Sequence, residues 1–508
     1  MVVRLLSGGL EGVDAFPVEV EVDYVRQGLP GFTLVGLAEA AVREAKDRVF
    51  AALRASNFRL PPARVTVNLA PAGRRKAGAS YDLPLAVGLL AASGLIPLER
   101  LNNLFLTGEL SLTGEIKAVS GVLPLAILAR QKEATGLVVP AANAAEAAVT
   151  HGLNVYAPQN LAQCAAFLAG AAELDAVPRA ALEALPPPRY GLDFGDVKGQ
   201  HAAKRALEVA AAGGHNVLML GPPGSGKTML AQRLPTILPP LNFEEALEVT
   251  KIYSVAGRLP PGSGLMTERP FRSPHHTISN VALVGGGSIP RPGEVSLAHR
   301  GVLFLDELPE YNKSVLEVLR QPLEDGTVSI ARVAQSVAYP AACMLIAAMN
   351  PCPCGYYGDA EHKCVCRPDQ RARYMAKLSG PLLDRIDVHV EVPAVPYEDL
   401  RNTAGSGTSA ELRARVLAAR AAQQKRFSGE RIHYNAELFG GLLERHCALS
   451  PEGHSLLKTA VRRLGLSARA YTRVLRLART IADMSGADDI GPEHLAEAIS
   501  LRVLDREE

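Results

Sequence analysis

One stretch constrains this chain before any other: "NVLMLGPPGSGKTML" sets the apolar run 217–220 directly ahead of G-x-x-x-x-G-K-T at Gly221–Thr228, with a helix-forming sequence behind it. Strand, glycine-spaced loop and helix in that order are part of an α/β domain whose ligand edge lies at the carboxyl ends of its strands. Gly221, Pro222, Pro223, Gly224, Ser225 and Gly226 form a loop whose backbone N–H groups wrap phosphate oxygens, since glycine accepts the left-handed dihedrals the wrap needs. Lys227 neutralises the β- and γ-phosphates of ATP, and the Thr228 hydroxyl ligates Mg²⁺. The bland alternative is a glycine-rich turn before a helix, and the strand in front argues against it.

Two more apolar strands end in polar groups. "GVLFLDEL" ends in Asp306 and Glu307, and "CMLIAAMN" in Asn350. At a carboxyl edge, Asp306 holds Mg²⁺, Glu307 polarises an attacking water, and the Asn350 amide holds that water or the γ-phosphate. "SGPLLDRIDVHVEV" places Arg385 just ahead of another strand, where it could reach the γ-phosphate of a neighbouring subunit or pair with Asp384 or Asp387. Ser467 and Gly486 bracket a helix as N-cap and stop. Arg469, at its start, is a candidate second phosphate sensor, while Arg473 and Arg476 share its face and read equally as a solvated stripe.

At 508 residues the chain exceeds one core. Alternating strand-like and helix-like pieces fill residues 1–170, and PPP at 186–188 marks a linker over 171–192. A second α/β block covers 193–395, and past it, beyond the Gly/Ser hinge 404–412, residues 396–508 read as all helix. A formal net charge of +2 excludes a global basic field, so nucleic acid would have to be met by local patches. No apolar run is long enough for a bilayer, the first residues lack a signal-peptide core, and seven cysteines make no disulfide scaffold. A cytoplasmic location without membrane contact is the expectation.

The ordered set resembles the AAA+ ATPases, in their Mg-chelatase-like branch. The carrying segments are "DVKGQHAAKRALEVAAAGGHNVLMLGPPGSGKT", "RPFRSPHHTISNVALVGGGSIPRPGEVSLAHRGVLFLDEL", "NPCPCGYYGD" and "SGPLLDRIDVHVEV". "GLPGFTLVGLAEAAVREAKDRVFAAL", "VTVNLAPAGRRKAGASYDLPLAVGLLAASG" and "ARAYTRVLRLARTIAD" are similar to the YifB/ComM family, so the likeness spans essentially the whole chain. It implies an α/β multidomain protein: a Lon-protease-like, ribosomal-S5-like α+β domain, a central AAA+ P-loop domain and a C-terminal helical domain. It also implies a hexameric, ATP-driven DNA helicase acting on single-stranded, forked or branched DNA. The associated process is branch migration during homologous recombination in natural transformation, alongside recombination proteins. By position, Lys227 and Thr228 fall in Walker A, and Asp306 and Glu307 in Walker B. Asn350 falls at sensor 1, Arg385 at the trans arginine finger and Arg469 at sensor 2. The shared core also permits a chelatase-type motor that remodels a protein partner.

The same resemblance makes "YSVAGRLPPGSGLMTERPFRSPHH" an insert in helix 2 and "EDGTVSIARVAQSVAYP" a pore hairpin. Arg332 on that hairpin is then the leading DNA-backbone contact, with Lys251, Arg258 and Arg272 as further candidates, since phosphate contact needs only a cation at the right height. The alternative is that Arg332 only solvates the hairpin. His275 and His276 could contact DNA or order the insert. In the Lon-like domain, Leu123 falls at the dyad lysine position and Tyr81 near the serine, with Ser80 one residue away, so no base remains to activate a hydroxyl. Arg74, Arg75 and Lys76 form a small basic loop.

Cys352, Cys354, Cys364 and Cys366 stand as two C-x-C pairs in a Gly/Pro/charge-rich stretch straight after Asn350. A disulfide is disfavoured by compartment and buried thiols by the surroundings. A closed tetrahedral zinc site is favoured over unliganded thiols, although the spacing is tighter than C-x2-C, and His362 is a substitute ligand.

Overall fold

Alternation in "FPVEVEVDYV" sends Phe16, Val18, Val20, Val22 and Tyr24 to one buried face. In the computed structural model these residues sit in the second strand of a seven-stranded mixed sheet. Residues 2–502 and 504 are described, apart from 28, 37–38, 40–41, 43, 179–187, 189, 288–289, 333–334, 360–361, 397 and 400–406. Of the expected linker, 179–187 and 189 lie outside the described residues, and of the Gly/Ser hinge 404–406; the end of the hinge is already helical from Ser409.

The sheet's strands are β1 (Val2–Glu11), β2 (Asp14–Val25), β3 (Gly31–Val35), β4 (Arg64–Ala70), β5 (Leu104–Leu106), β6 (Gly136–Val138) and β7 (Val155–Tyr156), in the order β3-β4-β2-β1-β5-β6-β7. Helix α1 (Ala45–Ala55) packs on α2 (Asp82–Ala92), and α2 and α3 (Val122–Gln131) lie against β1 and β2. Apolar on every side, α2 is buried from Asp82 to Ala91. Gly88 lets it settle there: a Cβ would come within 2.7 Å of both Leu5 and Val22.

The central domain holds β8 (Val217–Leu220), β9 (Phe271–Arg272), β10 (Val302–Leu305), the hairpin β11 (Thr327–Arg332) and β12 (Gln335–Pro340), β13 (Met344–Met349) and β14 (Val388–Glu391). Five of these make a wholly parallel sheet in the order β9-β10-β13-β8-β14. Strands buried on both faces read as continuous apolar runs, as "VLML", "VLFL" and "MLIAAM" do. Around the sheet lie α4 (His201–Gly213), α5 (Lys227–Ile237) and α6 (Phe243–Ala256). The chain then becomes helical, with α7 (Pro368–Met375), α8 (Ser409–Arg426), α9 (Pro451–Leu464), α10 (Ala468–Ser485) and α11 (Pro492–Ser500). The Ser467 hydroxyl caps α10 by accepting from the Ala470 N–H, and Gly486 ends it at φ 72°. Its buried face, with Val474, Leu477, Ala478 and Ile481, joins α4 and α8 in one apolar core.

Helix α6 carries the N-terminal domain. The Gly121 N–H donates to the Ser254 carbonyl at 3.0 Å, and Lys251 pairs with Asp14 at 2.6 Å. Glu146, only 4% exposed, accepts from the Leu123 N–H at 2.9 Å, from Asn143 Nδ2 at 3.0 Å and from the Ser254 hydroxyl. Replacing this carboxylate orphans donors on both sides of the junction. Glu146→Ala is expected to cost about 1.5–3 kcal/mol, seen as earlier thermal unfolding and faster proteolytic separation of the N-terminal domain. Unchanged melting and proteolysis would remove Glu146 as the latch.

Candidate active site

Parallel pairing brings three strand ends to one edge. Leu220 of β8 is in register with Met349 of β13, and Leu305 of β10 with Ala347. The residues that follow, Gly221, Asn350 and Asp306, therefore emerge side by side. The loop turns through Gly224 at φ 78° and Gly226 at φ 91°, which leaves Lys227 at the first turn of α5.

The Lys227 ammonium donates to the carbonyls of Gly221 at 2.7 Å and Pro222 at 2.8 Å, and lies 3.3 Å from Asn350 Oδ1. Burial lowers its pKa, with Asp306 and Glu307 pulling the other way. The Thr228 hydroxyl donates to Asp306 Oδ2 at 2.8 Å, so the hydroxyl and carboxylate share the position of a cation beside the loop. Glu307 follows in left-handed backbone at φ 51°, with its N–H on Asp306 Oδ1 at 3.0 Å. Together these groups offer a glycine-turned loop, one buried cation, one hard-metal pair and one exposed carboxylate.

Arg385 and Arg469 stand apart from this cluster. Arg385 donates to the Pro381 carbonyl and pairs with Glu324. Arg469 pairs with Asp384, the residue before Arg385. No hydrogen bond or ion pair among the described residues joins either arginine to the loop, Asp306 or Glu307. Arg473 and Arg476 do not form a solvated stripe. Arg473 is held by Asp387 at 3.2 Å and Arg476 by the Leu438 carbonyl at 2.7 Å, whereas the Arg469 side chain is 69% exposed.

The basic candidates are largely paired within the chain. Lys251 is held by Asp14, while Arg272 and Arg258 share Glu294 at 2.6 and 2.9 Å. Each therefore tethers its own element. The side chain of Arg332 lies outside the described residues, although its strand β11 pairs with β12. The small basic loop needs correcting: Lys76 is buried with its ammonium on the Pro71 carbonyl, and Arg74 pairs with Glu11 at 3.2 Å while lying over Phe16. Tyr81 and Leu123 are both buried, at 1% and 0% exposure, so the positions matched to a dyad are core.

Sequence reading named His276 but missed its place beside Glu307: its Nδ1 lies 3.4 Å from Glu307 Oε2, and its ring lies tilted over that of His275. It also missed Gln200, which donates to the carbonyls of Ser225 at 3.1 Å and Pro393 at 2.6 Å, tying the loop to the exit of β14. The four cysteines converge, with all four sulfurs within 4.8 Å of one another. His362 turns away, to Asp359 and the Tyr356 ring.

Three family profiles match. "Magnesium chelatase, subunit ChlI" covers residues 193–400, "Subunit ChlI of Mg-chelatase" 18–143, and "Magnesium chelatase, subunit ChlI C-terminal" 406–502. The chain is 46% identical over 499 residues to competence protein ComM of Haemophilus influenzae, covering 97% of this chain and 96% of that protein. It is 44% identical over 502 residues to YifB of Escherichia coli, with 97% and 96% covered. A shorter likeness, 32% over 149 residues, joins 27% of the chain to 26% of Lon protease 2 of Bacillus subtilis.

Proposed function

The chain belongs to the YifB/ComM family of Mg-chelatase-like AAA+ proteins, and from that premise we propose a hexameric, ATP-driven helicase that moves branch points in recombination intermediates. The supporting observation is the separation of the site into two parts. One surface holds Lys227, Thr228, Asp306, Glu307 and Asn350; Arg385 is held elsewhere by Glu324 and the Pro381 carbonyl, and Arg469 by Asp384, the residue before Arg385. A nucleotide site whose arginines sit elsewhere is completed by a neighbouring copy, and a head-to-tail contact of that kind closes into a ring.

The residues fit magnesium-bound ATP, because the loop presents its N–H groups, Lys227 is buried against it, and Thr228 and Asp306 converge. Thr228 and Asp306 would hold the Mg²⁺, which would supply positive charge against that of the phosphates. Lys227 compensates phosphate charge, Asn350 orients the γ-phosphate or the water, and Glu307 accepts the water's proton. Arg385, supplied by the next subunit, meets the charge of the leaving phosphate, and Arg469 on the same patch acts as second sensor. The hairpin carrying Arg332 would grip the DNA backbone without reading sequence, with Lys251 and Arg272 as secondary contacts wherever DNA displaces their present partners. The name of the Haemophilus relative, a competence protein, supports natural transformation as the setting; single-stranded, forked or branched DNA as substrate, recombination proteins as neighbours and a cytoplasmic location are part of the same proposal. Zinc in the four-cysteine loop belongs to the same reading.

The chelatase-subunit profiles over all three regions support a second reading, a motor that remodels a protein partner. Hydrolysis and strand release from a three-way DNA junction separate the two. The first predicts DNA-stimulated hydrolysis and ATP-dependent release, both abolished in Lys227→Ala. Hydrolysis indifferent to every DNA would favour the second.

A further inference from the structure

We propose that Cys352, Cys354, Cys364 and Cys366 bind one zinc ion as four thiolates, and that the metal-held loop is the buttress of the phosphate-binding loop. Zn–S bonds of about 2.3 Å in a tetrahedron put the sulfurs about 3.8 Å apart, whereas a disulfide needs about 2.05 Å. The sulfurs of Cys352 and Cys364 are 3.7 Å apart, those of Cys354 and Cys364 3.6 Å, and those of Cys352 and Cys354 3.3 Å. Cys352, Cys354 and Cys364 are thus each near the other two at metal-ligand spacing, the Cys366 sulfur lies within 4.8 Å of all three, and no pair is at bonding distance. The Cys354 N–H points at the Cys366 sulfur at 3.4 Å, the kind of donor that steadies a coordinating thiolate. Four protein ligands leave no open position, so the metal's role is structural.

The loop has little else to hold it. Val365 is 80% exposed and Tyr357 44%, and of the four cysteines only Cys352 is buried. A segment without an apolar core gains its fixed shape from metal bonds. That shape bears on the nucleotide site at two points. Gly355 packs against the loop so closely that a Cβ there would lie 2.5 Å from Pro223 Cδ. Asn350, just before the first cysteine, lies 3.3 Å from the Lys227 ammonium. Gly355 also donates its N–H to the Cys352 carbonyl at 3.0 Å, so the contact with Pro223 is built on a ligand residue. Losing the metal would release the Pro223 contact and the Asn350 amide together. Coordination stands independently; only the buttressing rests on the nucleotide-site reading above.

The test uses the purified full-length chain. Elemental analysis is expected to find one zinc per chain, and cobalt substitution to give an intense thiolate-to-metal charge-transfer band. Both should be lost in Cys364→Ser. No zinc in the wild type and no thiolate–cobalt band would overturn the site. Affinity for a fluorescent ATP analogue should fall at least tenfold in Cys364→Ser. Gly355→Ala presses a methyl group on Pro223 and also strains backbone at φ 87°, so it is read together with its zinc content: zinc kept with nucleotide weakened supports the buttress, and zinc kept with nucleotide unchanged counts against it. Stripping zinc from wild-type chain with a thiol reagent and chelator covers the case in which Cys364→Ser fails to fold, and should weaken nucleotide to the same extent. Undiminished affinity in zinc-free chain would overturn the buttress. Lys227→Ala should lose nucleotide while keeping zinc, so failure of the nucleotide reading remains distinguishable from failure of the metal site.

Discussion

Glu307→Gln is expected to lower ATP turnover by about 10²–10⁴-fold while leaving ATP binding close to that of the wild type. The amide has the same shape but cannot accept the water's proton. The groups proposed to hold nucleotide lie elsewhere: Lys227 on the loop, and Thr228 joined to Asp306 at 2.8 Å. The Glu307 side chain is 57% exposed and tied only to His276, so the change should not disturb packing. Phosphate release gives the rate, and retention of labelled ATP gives the binding. Turnover near the wild-type rate would mean that another base serves the water. Loss of binding together with turnover would mean that Glu307 holds the nucleotide rather than the water.

His276 also explains why parts of the site could not be read from the sequence. Strand ends were legible because burial demands continuous apolar runs, so a run that stops at Asp306, Asn350 or Gly221 announces a polar edge. The Ser467 cap and Gly486 stop were legible for the same local reason. Nothing local marks His276 as a neighbour of Glu307, because their contact depends on how the segment before β10 folds back. Lys251, Arg258 and Arg272 looked like free cations because a sequence does not show Asp14 or Glu294 arriving opposite them. Lys76 misled in the opposite direction, since its long apolar stem lets it bury with only the ammonium satisfied. The domain junction was equally invisible: Glu146 and Ser254 belong to different domains and meet only after both have folded.

Arg385 carries the other large expected effect, and the prediction turns on which protomer it serves. Within its own chain it is held by Glu324 and the Pro381 carbonyl, its side chain 15% exposed, and among the described residues no hydrogen bond or ion pair joins it to Lys227, Asp306 or Glu307. Arg385→Ala alone should cost about 10³–10⁵ in turnover, the range for an arginine that stabilises phosphoryl transfer. Glu307→Gln alone is also nearly inactive. If Arg385 acts across the subunit boundary, mixing the two dead variants restores hydrolysis, because an Arg385→Ala protomer keeps Glu307 and takes a finger from a Glu307→Gln neighbour. Random assembly then gives roughly one competent site in four. Light scattering on the mixture establishes that the variants co-assemble, and phosphate release reads the recovery. Arg469→Ala mixed with Glu307→Gln should behave in the same way, since Asp384 holds Arg469 on the same patch. Co-assembly without recovery would confine Arg385 to its own chain, as a partner for Glu324, and remove the argument that the nucleotide site is built from two subunits.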